Sequence, residues 1–163
     1  MWINVAQQLK APVGLTRDYV VSEIVDIAGS NRLVEGEVQL IRTNRGFLVR
    51  TTLHTDVDLP CSRCLTLFRY PLSINIEEEY FPTNNIITGE PLPLPDEPDC
   101  FTIDEHNILD LTEALRQYTL MAIPMKPLCS EDCAGLCPGC GGNLNQASCH
   151  CSTRVIDRMV GAK

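Results

Sequence analysis

From residue 34 to 42 apolar and polar positions alternate. Val34, Val38 and Leu40 fall on one face and Glu35, Glu37 and Gln39 on the other, the two-residue period of a half-buried strand. Thr43-Asn44-Arg45-Gly46 reads as a turn. Alternation resumes over 47–59, with Phe47, Val49, Leu53 and Val57 inward and Arg50, His54, Asp56 and Asp58 outward. Leu72, Ile74, Ile76 and Tyr80 mark a third strand, with Asn75, Glu77 and Glu79 opposite, and a less regular strand covers 19–27. The stretch 82–99 holds Pro82, Pro91, Pro93, Pro95 and Pro98 and reads as a loop or an extended crossing segment. A short strand is expected over 100–103. Asp110-Leu111-Thr112-Glu113 has the form of a capping box, with Asp110 as N-cap and Glu113 reaching back. Leu111, Ala114, Leu115, Tyr118, Met121 and Ala122 then follow at helical spacing, a stripe suited to packing on the sheet, and the helix should stop before Pro124. A cysteine-rich module covers 127–151, and a short terminal helix is expected over 153–160. There is no internal repeat.

These elements predict an α+β fold: an antiparallel β-sheet, as a meander or partly open barrel, with one packed helix and a C-terminal cysteine-rich zinc module. The expected division is a sheet-plus-helix domain over 1–123, including the 82–99 loop, and the module over 124–163 packed on it.

Composition narrows the class. The chain has 163 residues, 44% of them apolar, enough for one domain with a modest core and a small appended module. No apolar run approaches the ~20 residues of a membrane span, and residues 1–14 show no basic leader followed by an apolar block. The expectation is a folded cytoplasmic protein with no membrane partner and no small-molecule substrate. With 13 Lys+Arg against 21 Asp+Glu, a net charge of -8 argues against a generic nucleic-acid-binding domain. The charge is unevenly spread, however. Arg42, Arg45, Arg50, Arg63 and Arg69 stand against only Asp56 and Asp58 over 42–69, so these five are the candidate RNA contacts; solvated charges on the outer face of a sheet are the alternative. Between Arg69 and Arg116 there are eleven acids and no Lys or Arg, which reads as a solubility face or a surface for a basic partner such as a ribosomal protein.

The chemistry lies in nine cysteines. Cys61 and Cys64 form one CxxC, Cys100 stands alone, and Cys129, Cys133, Cys137, Cys140, Cys149 and Cys151 lie close together. In a reducing compartment such density reads as metal binding before disulfides. Cys137-Pro138-Gly139-Cys140-Gly141-Gly142 is the strongest local signal: a tight turn that aims two thiolates at one point. Zinc takes four ligands, commonly as two close pairs. One partition puts Cys137, Cys140, Cys149 and Cys151 on one zinc and Cys61, Cys64, Cys129 and Cys133 on a second; one site with spare thiols is the rival. His150 could replace a neighbour as ligand, or be a solvated loop residue. The spacing Cys133-x3-Cys137-x2-Cys140 also matches the CxxxCxxC of radical enzymes that hold an iron–sulfur cluster. Against it stand Gly139 where an aromatic residue is usual, the competing thiols, and the 23 residues left after Cys140. A thioredoxin-like role for Cys61-Ser62-Arg63-Cys64 lacks the helix that this chemistry uses. Cys100 reads as a buried, inert thiol.

The hairpin Pro60-Cys61-Ser62-Arg63-Cys64-Leu65 with Phe68, the string from Cys129 to Gly141, Asn143-Leu144-Asn145 and Cys149-His150-Cys151 together resemble the YceD-like family of large-subunit ribosomal RNA accumulation proteins. The resemblance spans about 15–160. It implies a bacterial cytoplasmic factor that supports large-subunit rRNA processing or accumulation, with no established catalytic activity. The implied partners are a pre-50S particle, rRNA or a ribosomal protein, and zinc would be structural. The chain departs from the family pattern at Ser152-Thr153-Arg154. A zinc-stapled protein–protein adaptor is the alternative function.

Overall fold

The computed structural model of the protein describes residues 1–27, 29–96, 100–149 and 151. His150 and the helix expected over 153–160 lie outside the described residues. The elements run β1 (Trp2–Asn4), α1 (Ala6–Leu9), β2 (Thr16–Ile27), β3 (Ser30–Arg42), β4 (Phe47–Pro60), β5 (Leu67–Pro82), β6 (Phe101–Ile103), β7 (Ile108–Asp110) and α2 (Thr112–Ala122). The chain divides into two compact units: Met1–Val57 with Pro71–Ile123, and Asp58–Tyr70 with the described residues from Pro124 onward.

The strands form a seven-stranded sheet in the order β1-β7-β6-β5-β4-β3-β2. Strands β2 to β5 follow sequence order, as a meander requires. β2 pairs antiparallel with β3 from Thr16↔Ile41 to Ile27↔Ser30, and β3 pairs antiparallel with β4 up to Arg42↔Phe47. One pair departs from the antiparallel expectation: β6 runs parallel to β5, with Tyr80 opposite Phe101. The long connection after Pro82 returns the chain before β6 begins, so β6 enters in the same direction as β5. The chain then reverses at Asn107, which takes a φ of 60°. Asp104 closes the turn by accepting from the backbone N–H groups of His106 and Ile108. β1, α1 and β7 were not expected, because three- and four-residue elements are too short to display a period.

The alternation places the core where the sequence pattern puts it. Val34, Val38, Leu40, Phe47, Val49, Leu53, Leu72, Ile74, Ile76 and Tyr80 are all buried. Thr51 and Thr55 share the inner face of β4, and their hydroxyls donate to the carbonyls of Glu37 (2.7 Å) and Leu33 (2.9 Å), which removes the cost of burying them. In this first unit the sheet curls like a partly open barrel: the ammonium of Met1, beside β1, lies 3.8 Å from Glu23 of β2, although β1 and β2 are opposite edges.

α2 departs from expectation at both ends. The capping box does not form. Asp110 is the last residue of β7 and accepts from Thr112 N (2.9 Å), while Leu111 occupies the N-cap position with no side-chain bond. Glu113 turns instead to Arg116 (2.9 and 2.6 Å) and Gln117 (2.9 Å), a bidentate i,i+3 pair that outcompetes a reach back to the cap. Leu111, Ala114 and Leu115 are buried as expected, but Met121 is 68% exposed. Thr119 takes the buried place in the last turn, with its hydroxyl satisfied by the Leu115 carbonyl at 2.7 Å. Among the described residues no helix is long and apolar enough to cross a membrane.

Candidate metal centres

The second unit carries two turns with the same backbone design. In the first, Cys61 N donates to Thr66 O (3.0 Å), Leu65 N to Cys61 O (2.9 Å) and Arg63 N to Cys61 Sγ (3.4 Å). In the second, Cys137 N donates to Gly142 O (2.8 Å), Gly141 N to Cys137 O (2.8 Å) and Gly139 N to Cys137 Sγ (3.3 Å). Both turns place the residue after the second cysteine in the left-handed region, Leu65 at φ 61° and Gly141 at φ 73°. This path brings the two thiols of each CxxC to one side and aims an N–H at the first sulfur. Cys61 and Cys64 sit between β4 and β5 in a tight turn, not at the start of a helix as dithiol redox chemistry uses.

Each turn meets a second cysteine pair. Cys61, Cys64, Cys129 and Cys133 form one quartet and Cys137, Cys140, Cys149 and Cys151 another, the sulfurs within each lying no more than 4.8 Å apart. Cys61 Sγ is 3.7 Å from Cys133 Sγ, Cys64 Sγ is 3.6 Å from Cys129 Sγ, and Cys149 Sγ is 3.1 Å from Cys137 Sγ. These separations are far beyond a disulfide bond of about 2.05 Å. The first two match the edge of a tetrahedron, roughly 3.8 Å, that Zn–S bonds of about 2.3 Å would give. The donor set therefore fits a soft, tetrahedral dication in both places. The CxxxCxxC string is split, with Cys133 in one quartet and Cys137 and Cys140 in the other, so no three-thiolate corner for an iron–sulfur cluster is assembled from it.

The two centres differ in enclosure. Cys61, Cys64 and Cys133 are buried, with Phe68, Leu128 and Leu136 packed against them, and Cys129 is exposed. In the other quartet Cys137 is buried, Cys140 is exposed, and Cys149 and Cys151 are half-buried.

The sequence itself matches a family model described as large ribosomal RNA subunit accumulation protein YceD over residues 49–160. The chain belongs to the YceD family. It is also 25% identical over 128 residues to uncharacterized proteins of Mycobacterium bovis and Mycobacterium tuberculosis, which covers 78% of this chain and 59% of theirs. This YceD-family chain thus spans about three fifths of the length of those curated relatives. No solved structure matches it.

The quartets of this YceD member already hold readily ionised thiols: Cys61 and Cys64, the latter lowered first by its hydrogen bond with Thr66, in one, and Cys137 in the other. Burial pushes Cys61 up, but hydrogen bonds from the backbone of Cys129, Cys64 and Arg63 outweigh it and bring the thiol down to about 6. Cys137 falls to about 6 through its hydrogen bond with Cys149 and those from the backbone of Gly139 and Cys140. Cys129 and Cys151 move the other way: Cys129 is pushed up to about 12, first by its hydrogen bond to Cys133, and Cys151 to about 12, first by its bond to Cys140. Four thiolates cannot share so small a space without a cation, so a dication entering either quartet displaces protons.

The five candidate RNA-contact arginines divide between the two units, and all five are engaged within the chain. Arg42 lies against the Phe47 ring and donates to the carbonyls of Thr43 and Gly46. Arg45 stacks on Phe81 at 5.1 Å and pairs with Glu79 at 3.0 Å. Arg50 of β4 reaches Glu77 of β5 at 2.8 Å. Arg63 is a brace of the cysteine-rich module: its guanidinium donates to the carbonyls of Glu131 (3.2 Å) and Cys133 (3.0 Å). Arg69 is exposed on β5. The acidic stretch is likewise engaged, since Glu77 and Glu79 take Arg50 and Arg45, and Glu78 accepts from Tyr118.

Two site residues had no role from sequence. Asn145 accepts from Ala134 N (2.8 Å) and donates through Nδ2 to Cys133 Sγ (3.3 Å) and to Asn143 Oδ1 (2.8 Å). Asn143 in turn donates to Thr66 Oγ1 (3.1 Å) and accepts from Asn145 N (2.9 Å). Their spacing within Asn143-Leu144-Asn145, just after a double glycine, was the available signal.

Proposed function

We propose that this YceD-family chain is a non-enzymatic, cytoplasmic accessory factor in large ribosomal subunit biogenesis and rRNA accumulation, stabilised by two structural zinc ions. Cys61, Cys64, Cys129 and Cys133 would hold one ion, and Cys137, Cys140, Cys149 and Cys151 the other. Bound zinc would supply cross-linking and no chemistry, since four thiolates leave no open position for substrate. The observation that carries the reading is the pairing of two four-sulfur clusters with the family match over 49–160. The proposed partner is a pre-50S particle, reached through rRNA or a ribosomal protein.

The ion pairs that Glu77 and Glu79 of β5 make with Arg50 of β4 and Arg45 of the β3–β4 turn favour a second reading for how that partner is met. Arg45 and Arg50 are neutralised by Glu79 and Glu77, which supports a protein contact, as in an adaptor, over a phosphate contact. Sedimentation of lysate on a sucrose gradient, with and without RNase, tests both. Migration with large-subunit precursors that is lost on RNase treatment is the expected result. Binding retained after RNase and insensitive to salt would move the adaptor ahead, because phosphate contacts weaken steeply with salt. Migration only at the top of the gradient would overturn stable particle binding.

A further inference from the structure

We infer that the two four-cysteine centres load as a coupled pair, with Asn145 as the positioning residue that links them. The inference rests on the metal reading above. The chain between Cys140 and Cys149 is the span between the second and third ligands of one centre, and it also forms the outer shell of the other. Asn145, inside that span, donates through Nδ2 to Cys133 Sγ at 3.3 Å and accepts from Ala134 N, the neighbour of that ligand, at 2.8 Å. Leu144 N donates to Gly135 O at 2.9 Å, and Asn143 Nδ2 donates to Thr66 Oγ1 at 3.1 Å, just past Cys64. Four contacts from three consecutive residues thus seat one centre's loop on the other's ligand turns.

The physics follows from where the loop ends. A cation on Cys137, Cys140, Cys149 and Cys151 fixes both ends of the span and holds Asn145 in place. An N–H donated to the Cys133 sulfur fixes the orientation of that ligand, as outer-shell partners of metal ligands do. Filling the exposed centre therefore tightens the enclosed one, and by linkage filling the enclosed one tightens the exposed one by the same factor. Outer-shell partners of metal ligands are commonly worth about 10- to 100-fold in metal affinity.

The test is an anaerobic titration of the full chain, reduced and metal-free, with Co²⁺ and then with Zn²⁺ against a competing chelator. The tetrahedral thiolate cobalt spectrum reports each centre. Wild type should take two ions. Cys149→Ser should keep one, in the enclosed centre, bound about 10-fold more weakly than in wild type. Asn145→Ala should keep both ions, with the enclosed centre weakened by about 10- to 100-fold. Adding Cys149→Ser to Asn145→Ala should then weaken the enclosed centre no further. An enclosed centre of unchanged affinity in both single variants would overturn the coupling while leaving two zinc sites standing. Wild type taking fewer than two ions would overturn the metal reading and the coupling with it. Asn145→Ala is the variant that decides if Cys149→Ser fails to fold.

Discussion

Leu65 and Gly141 occupy equivalent places, one residue past the second cysteine of their turns, with φ of 61° and 73°. Glycine adopts this conformation freely, whereas an L-residue with a Cβ is strained there by about 1–2 kcal/mol. Leu65 is 65% exposed, so its side chain gives little back through burial. Leu65→Gly should therefore stabilise the metal-loaded protein by about 0.5–1 kcal/mol, after the entropy that glycine adds to the unfolded chain. A rise in melting temperature of roughly 2 °C is the expected reading. A fall would mean that Leu65 makes a contact worth more than its strain.

Tyr118 and Glu78 tie α2 to β5, with the phenol donating to the carboxylate at 2.6 Å. That bond, helped by desolvation, pushes the Tyr118 hydroxyl up to about 12. The sign follows: the folded state holds this proton more tightly than the unfolded chain, whose tyrosines ionise near 10. The stabilisation is thus complete below about pH 10 and is lost as pH rises through about 12. Tyr118→Phe should cost about 1 kcal/mol in urea unfolding near pH 8, and the gap should close at about pH 11.5. A gap that stays constant across that range would show that the hydroxyl's bond is not its source.

Gly46 ends the turn between β3 and β4 and lies against the β5 backbone. A Cβ built there would stand 1.9 Å from Tyr80 O and 3.0 Å from Tyr80 C. No side-chain rotation relieves a clash with backbone. The turn is also held by Thr43 N to Gly46 O (3.0 Å), Gly46 N to Thr43 Oγ1 (2.9 Å) and Arg42 Nη1 to Gly46 O (2.8 Å), so moving it breaks several bonds at once. Gly46→Ala should lower stability by roughly 3 kcal/mol or more, read as a reduced urea midpoint with an unchanged slope.

How much of this was legible in the sequence depends on the range of each interaction. The alternation at Val34, Val38 and Leu40 or at Phe47, Val49 and Leu53 is local, and these residues are buried as it implies. The short strand at 108–110 carries too few residues for any period, and the parallel pairing of Tyr80 with Phe101 depends on the path of the loop between them. Arg50 is nominated for RNA by the excess of five Arg over two acids across 42–69. Its partner Glu77 lies on the adjacent strand, and only the register brings the two together. The cysteines were legible as pairs because ligand spacing in a tight turn is local. The bond from Asn145 to Cys133 was not, since it depends on how the loop folds back over twelve residues.

Metal removal separates the two units. The first has a continuous core that includes Leu40, Phe47, Leu53, Ile74, Ile76 and Leu115. Among its described residues the second has a small cluster of Phe68, Leu128 and Leu136 around Cys61, Cys64 and Cys133, with Cys137 also buried. So small a cluster does little to offset the entropy of ordering its loops, and on the proposed metal reading the binding free energy of the ions would do so. A strong chelator with reductant should therefore open protease cleavage sites within 124–151 while fragments of the sheet persist. Cys64→Ser and Cys137→Ser should each lose one equivalent of zinc by elemental analysis and show the same local cleavage. Cys100→Ser, outside both quartets, should keep two equivalents and resist as wild type does. If Cys64→Ser and Cys137→Ser keep full metal content and full protease resistance, the second unit is held by something other than its thiolates.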